Sequence, residues 1–204
     1  MKSEPRQFAE LLDALAAGRN LKDASGVAGL DPAEAAGQLR RLAQYYRTKS
    51  PAKAESAPAA SDQDVKPPVK GADLVVYSDG GARGNPGKAG FGVVLYDKAG
   101  HKIAESKRFL GIMTNNEAEY SGLIHALERA AELGAAHIEV RLDSELLVRQ
   151  MSGIYKVKAR NLLPLFISAN KLARQFGSIV YTHVPREENR EADRLANEAM
   201  DQGV

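Results

Sequence analysis

Hydrophobic and polar positions alternate differently in the two parts of the chain. Before residue 50, Phe8, Leu11, Leu12 and Leu15 recur at helical spacing until Gly18. Asn20 then stands where a cap would start a short helix with Leu21, Ala24 and Val27, closing near Gly29. Asp31, Pro32 and Glu34 form a further helix-start signature ahead of a stripe of Leu39, Leu42, Ala43 and Tyr46. From Asp73 the rhythm becomes that of strands. The apolar run Leu74–Tyr77 predicts a central strand that ends before Asp79, 90–97 predicts a second and 101–110 a third, punctuated by Gly87, Gly90 and Gly100. These three are expected to pair as an antiparallel meander. A long helix is predicted over 116–133, followed by a strand over 138–142, helices over 145–151 and 162–176, a strand over 178–183 and a last helix over 188–200. Three strands followed by alternating helices and strands predict an α/β fold, a five-stranded mixed sheet flanked by helices, with a small all-α module ahead of it.

Between the two parts, 50–70 carries Pro51, Pro58, Pro67 and Pro68 among Ala, Ser, Lys and Asp, with almost nothing large and apolar to bury. It reads as a flexible linker, or as an extended segment lying on a surface. The domain division expected is therefore 1–49, 50–70 and 71–204. The first module resembles a helix-turn-helix arrangement whose Arg40, Arg41, Arg47 and Lys49 would meet phosphates. A small three-helix bundle with a solvated basic face fits it equally, so its partner is left open as nucleic acid or protein.

Composition narrows the chemistry. The 204 residues carry a formal charge of +2, too small to identify a polyanion partner by itself, and residues 71–204 are neutral with 17 basic against 17 acidic side chains. Cysteine is absent, which excludes disulfides, thiolate metal sites and cysteine nucleophiles, so any metal would be held by oxygen or imidazole. Charged residues interrupt 1–20, so no signal-peptide core is read there, and no apolar run reaches the roughly 20 residues of a membrane span. A soluble cytoplasmic protein is expected.

Four acidic residues stand where packing does not require them. Asp79 and Asp143 each follow a strand-like run; Glu119 and Asp193 each border the apolar stripe of a helix, Glu119 in line with Leu123 and Ala126, Asp193 beside Ala192 and Leu195. Taken singly each has an ordinary explanation, as a turn or cap residue, a border salt bridge or a first-turn acid favoured by the helix dipole. Taken together, convergent carboxylates without thiols suit a hard cation such as Mg²⁺.

Four local motifs lie around these acids. They are Asp79-Gly80-Gly81-Ala82-Arg83-Gly84-Asn85-Pro86-Gly87, Thr114-Asn115-Asn116-Glu117-Ala118-Glu119-Tyr120, Asp143-Ser144, and the stretch from His183 through Asn189 to Asp193 and Arg194-Leu195-Ala196-Asn197. In this order and context they resemble the type 1 ribonuclease H family, in its compact bacterial and archaeal subgroup, through nearly all of 73–204. The resemblance implies a ribonuclease H-like fold and an endoribonuclease that hydrolyses the RNA strand of RNA–DNA hybrids, leaving 5′-phosphate and 3′-hydroxyl ends. It implies that Asp79, Glu119, Asp143 and Asp193 hold two Mg²⁺ ions, with Mn²⁺ as a substitute, and that His183 assists proton transfer or product departure. It further implies that Gly80, Gly84, Asn85, Asn115 and Asn116 contact the hybrid. Arg83, Lys88, Lys156, Lys158 and Arg160 are candidates for phosphate contacts or plain surface charges.

The chain departs from the family in two places. It has no tryptophan and only a short Tyr155-Lys156-Val157-Lys158 segment where strong hybrid binders carry a basic, tryptophan-rich protrusion. Glu145 also replaces a neutral amide often found after the Asp-Ser pair. Rival readings are a same-fold nuclease for another nucleic acid, a noncatalytic hybrid-binding module, and a phosphatase acting on small substrates.

Overall fold

The computed structural model describes residues 71–202 and, before them, 20–33, 35, 36, Leu11, Ala14 and Leu15. The chain divides into two compact units, Met1–Ala57 and Pro58–Val204.

In the first unit, helix α1 (Leu21–Ala28) forms as its ends predict. The Asn20 side chain accepts the Asp23 N–H at 3.0 Å, and Gly29 closes the helix at φ 70°. Asp31 Oδ1 accepts the Ala33 N–H at 2.8 Å at the next helix start. Its core is small and rich in alanine: Leu11, Ala14, Ala24, Ala28, Leu30 and Ala35 are buried. Val27 departs from expectation. It is 45% exposed, and the buried face of α1 runs instead through Ala24, Ser25 and Ala28. The stripe Leu39–Tyr46, the basic residues Arg40, Arg41, Arg47 and Lys49, and the 50–70 segment lie outside the described residues.

The second unit contains β1 (Ala72–Gly84), β2 (Gly87–Asp97), β3 (Lys102–Met113), α2 (Asn115–Glu132), β4 (Ala135–Leu142), α3 (Glu145–Met151), α4 (Leu163–Ala173), β5 (Ser178–His183) and α5 (Arg190–Gln202). The strands form one sheet in the order β3-β2-β1-β4-β5. β1, β2 and β3 are antiparallel, whereas β4 and β5 run parallel to β1. Local chemistry sets the element ends. Thr114 and Glu117 close a reciprocal capping box at the start of α2, and Ser144 caps α3 by accepting the Leu147 N–H.

Several boundaries differ from expectation, and two of them bear on the site. β1 does not end before Asp79 but continues to Gly84, because β2 pairs with it from Leu74↔Asp97 through Gly84↔Gly87, whereas parallel pairing with β4 stops at Tyr77↔Arg141. Asp79 therefore lies inside a strand, just beyond the point where one neighbour leaves. The last helix begins at Arg190 rather than 188, after a 3₁₀ turn over Arg186–Glu188.

Consecutive strand residues face opposite sides of the sheet, and glycines show what each side meets. A Cβ on Gly80 would lie 2.3 Å from the Ala118 carbonyl carbon of α2, while Gly81 faces Met200 and Gly92 faces Ala192 and Leu195 of α5. Thus α2 covers one face and α5 the other. Between α2 and the sheet lies the main core, including Val76, Phe91, Val93, Leu95, Tyr120, Leu123, Leu127 and Val140. Among the described residues no helix is long and apolar enough to cross a membrane.

Candidate active site

The site forms where β1 outruns β4. Asp79 projects from β1 opposite Gly92 of β2, Asp143 follows the last residue of β4, and Glu119 lies in the second turn of α2. With Gly80, Leu142, Ser144 and Leu147, these three carboxylates line one small cleft. Gly80 makes this possible: its missing Cβ lets α2 settle directly on β1, which brings Glu119 beside Asp79. Gly80 is buried and lines the same cleft, and its missing Cβ is what admits the backbone of Ala118 and Glu119.

Each carboxylate is held by a neighbouring donor. Glu119 accepts from Asn115 Nδ2 at 2.9 Å and from the Ser144 hydroxyl at 2.7 Å. Asp143 accepts from Asn189 Nδ2 at 2.9 Å. Asp193, in the first turn of α5, accepts from Arg186 Nη2 at 2.6 Å. Among the described residues no three Asp, Glu or His side chains are gathered into a finished cation cage. The four acids nonetheless converge electrostatically. Burial, then the charges of Asp143, Asp193 and Glu119, push the Asp79 carboxyl up to about 7, against the Gly80 N–H that favours its ionised form. Glu119 is also raised, chiefly by burial, with the Ser144 and Asn115 bonds opposing. Arg186 is held more firmly protonated by Asp193, and it also senses Asp79 and Asp143. A partly buried excess of negative charge carried by oxygen donors alone fits hard divalent cations.

The remaining expected residues separate into two groups. His183 is exposed and pairs in register with Leu142, immediately before Asp143. Gly84, at φ 101°, and Asn85 lie exposed at the β1–β2 turn. Asn85 Oδ1 accepts the Asn115 N–H at 3.2 Å, and Asn115 Oδ1 accepts the Ala82 N–H at 3.2 Å. Asn115 thus ties the hairpin to Glu119, and its side chain is engaged within the protein; Asn116 is half-buried beside it. Lys88, Lys156, Lys158 and Arg160 are exposed, whereas Arg83 pairs with Asp201. Sequence reading assigns no task to Ser144, Arg186 or Asn189. Their polarity within the motifs was the available signal; Arg186 pairs only seven residues on with Asp193, whereas the partners of Ser144 and Asn189 lie far along the chain.

A mixed five-stranded sheet with acids clustered at the edge of its parallel part defines a ribonuclease H fold, and the comparisons agree. A family model described as reverse transcriptase-like matches residues 77–199. The chain is 53% identical over 130 residues to a bifunctional protein of Mycobacterium tuberculosis, covering 63% of this chain and 35% of that protein. It is 43% identical over 137 residues to ribonuclease HI of Halobacterium salinarum, covering 67% of this chain and 69% of the relative. The crystal structure of the Halobacterium protein matches with a TM-score of 0.63 over 64% of this chain and 99% of that one. A ribonuclease H1 isolated from compost, solved with an RNA/DNA hybrid, is 46% identical with a TM-score of 0.61, covering 63% of this chain and 97% of that one. The chain belongs to the type 1 ribonuclease H family.

Proposed function

We propose that this protein is an endoribonuclease that hydrolyses the RNA strand of RNA–DNA hybrids, leaving 5′-phosphate and 3′-hydroxyl ends, and that residues 71–204 carry this activity. The observation that carries the proposal is the convergence of Glu119, Asp143 and Asp193 on Asp79, whose carboxyl is pushed up to about 7. The hybrid named for the compost relative supports the substrate class.

In this reading Asp79, Glu119, Asp143 and Asp193 hold two Mg²⁺ ions, with Mn²⁺ as a substitute. When bound, such ions activate the attacking water and stabilise charge on the departing 3′-oxygen. The protein's own groups do the orienting. Asn115 and Ser144 fix the Glu119 carboxylate through the two bonds described above, so the rotamer need not be selected when substrate arrives. His183, exposed beside the end of β4, takes up or delivers a proton near the leaving group. Gly84, Asn85 and Asn116 form the rim that meets the minor groove, where the 2′-hydroxyl distinguishes RNA from DNA at every step. Lys88, Lys156, Lys158 and Arg160 supply sequence-independent phosphate contacts. Residues 1–49 form a separate accessory module under this proposal, joined through 50–70.

The test is cleavage of an end-labelled RNA–DNA hybrid in Mg²⁺ and in Mn²⁺, with RNA–RNA and DNA–DNA duplexes as controls and Asp143→Asn as the comparison. Cleavage confined to the RNA strand of the hybrid and lost in the variant is expected. Folded wild-type protein that cuts no hybrid in either metal would refute the proposal.

A further inference from the structure

Asn189 is the most completely buried polar residue near the carboxylates, at 1% exposure. It follows the 3₁₀ turn Arg186–Glu188 and immediately precedes α5. Its Nδ2 donates twice, to the Ser78 carbonyl at 3.1 Å and to Asp143 Oδ1 at 2.9 Å. Its own backbone carbonyl accepts the Asp193 N–H at 3.0 Å. Ser78 directly precedes Asp79 in β1. One residue therefore joins the backbone beside Asp79, the carboxylate of Asp143 and the helical turn that carries Asp193.

The chemistry of the two acceptors explains the residue type. A backbone carbonyl and a carboxylate both lack protons, so the group between them must offer two. Reversing the amide would place Oδ1 against both acceptors, which fixes the orientation without ambiguity. Serine or threonine brings one proton, and aspartate would set a second carboxylate against Asp143. Glutamine carries the amide one methylene further out. Oδ1, on the other side, is buried with no hydrogen-bond partner among the described residues. The fold thus tolerates an unsatisfied acceptor in order to keep the double donor in place.

We infer that Asn189 is a positioning residue that sets the mutual placement of Asp79, Asp143 and Asp193 for divalent ions. This role rests on the metal-dependent function proposed above, and it differs from simply pinning α5 to the sheet. A pin would affect stability alone; a positioning residue changes how the three carboxylates bind ions in protein that is still folded.

The test compares Asn189→Leu, which matches asparagine in shape but donates nothing, with Asn189→Ala and with Asn189→Ser, which keeps one donor. Leu127→Ala, two turns along α2 from Glu119 and fully buried in the core, serves as a control that loosens the fold away from the acids. Mn²⁺ binding to the full chain is measured by calorimetry without nucleic acid, well below the unfolding temperature of each variant. The leucine and alanine variants are expected to bind Mn²⁺ about 10–100-fold more weakly, with serine between them and wild type. Leu127→Ala is expected to melt earlier at wild-type Mn²⁺ affinity. In hybrid cleavage the Asn189 variants lose kcat with KM little changed. Wild-type Mn²⁺ affinity in any folded Asn189 variant that lacks both donors would overturn the inference, as would an equal loss in Leu127→Ala. If one variant does not fold, the remaining two carry the comparison. A wild-type protein inactive on hybrids would remove the proposed function but leave the Mn²⁺ comparison readable, so the two failures are distinct.

Discussion

At Asp79 every neighbouring acid acts in the same direction as burial, so the metal-free protein keeps a proton there up to about pH 7, against an ordinary value of 3.8. Between these values the native state binds more protons than the unfolded chain. Stability contributed by this residue is therefore greatest at low pH and falls as pH rises through that window, the sign expected for an acid whose folded pKa is raised. Asp79→Asn removes the charge and keeps the shape. In chelator, it should raise stability by roughly 2 kcal/mol at pH 8, with a smaller gain at pH 5 and cleavage abolished. Thermal melts at the two pH values check this, and an equal gain at both would contradict it. Sequence position alone marked Asp79 as anomalous. The burial that shifts it most, and the charges 40 to 114 positions away that add to it, both arise from packing, so the magnitude was not legible locally.

At the scale of elements, the site depends on how closely α2 and α5 approach the sheet. Gly80 and Gly92 thin the two faces at the contact points, and a Cβ on Gly92 would meet the Ala192 carbonyl oxygen at 2.2 Å. Gly80→Ala places a methyl group against the backbone of Ala118 and Glu119, which no side-chain rotation relieves. It should cost about 1–3 kcal/mol or more by overpacking. It should also reduce cleavage at temperatures where the variant remains folded, because Glu119 is displaced. Denaturant midpoints paired with activity measure both effects; an unchanged midpoint would show that the helix recedes freely. Strands and helices themselves were largely legible from period-2 and period-3.6 patterns. Their ends were less so. Gly80 and Gly81 signalled a break in a pattern of side chains, although β2 pairing carries the backbone straight through them.

For the whole second unit, the proposed metal-dependent function implies that ion binding at the carboxylate cluster is linked to folding. A ligand held only by the native state adds RT ln(1 + [L]/Kd), about 2.7 kcal/mol at a hundredfold excess over Kd. Ions held there would also offset the repulsion around Asp79. Saturating Mg²⁺ or Mn²⁺ should raise the melting temperature by on the order of 10 °C in the wild type, and much less in Asp79→Asn. Melting curves across a metal titration test this. Equal shifts in both proteins would place the binding elsewhere.

The sequence by itself determined the order of strands and helices, the cap at Asn20, and the four acids worth following. These features are written in spacings of one to four residues, where the period of a helix or strand acts directly. Tertiary structure alone decided what holds each acid. Asn189 reaches Asp143 across 46 positions and Ser78 across 111, and Ser144 reaches Glu119 across 25. Such partners are selected when helices pack on a sheet and bring distant side chains within hydrogen-bond reach. That selection depends on crossing geometry and on glycines that leave room, neither of which has a local period to be read.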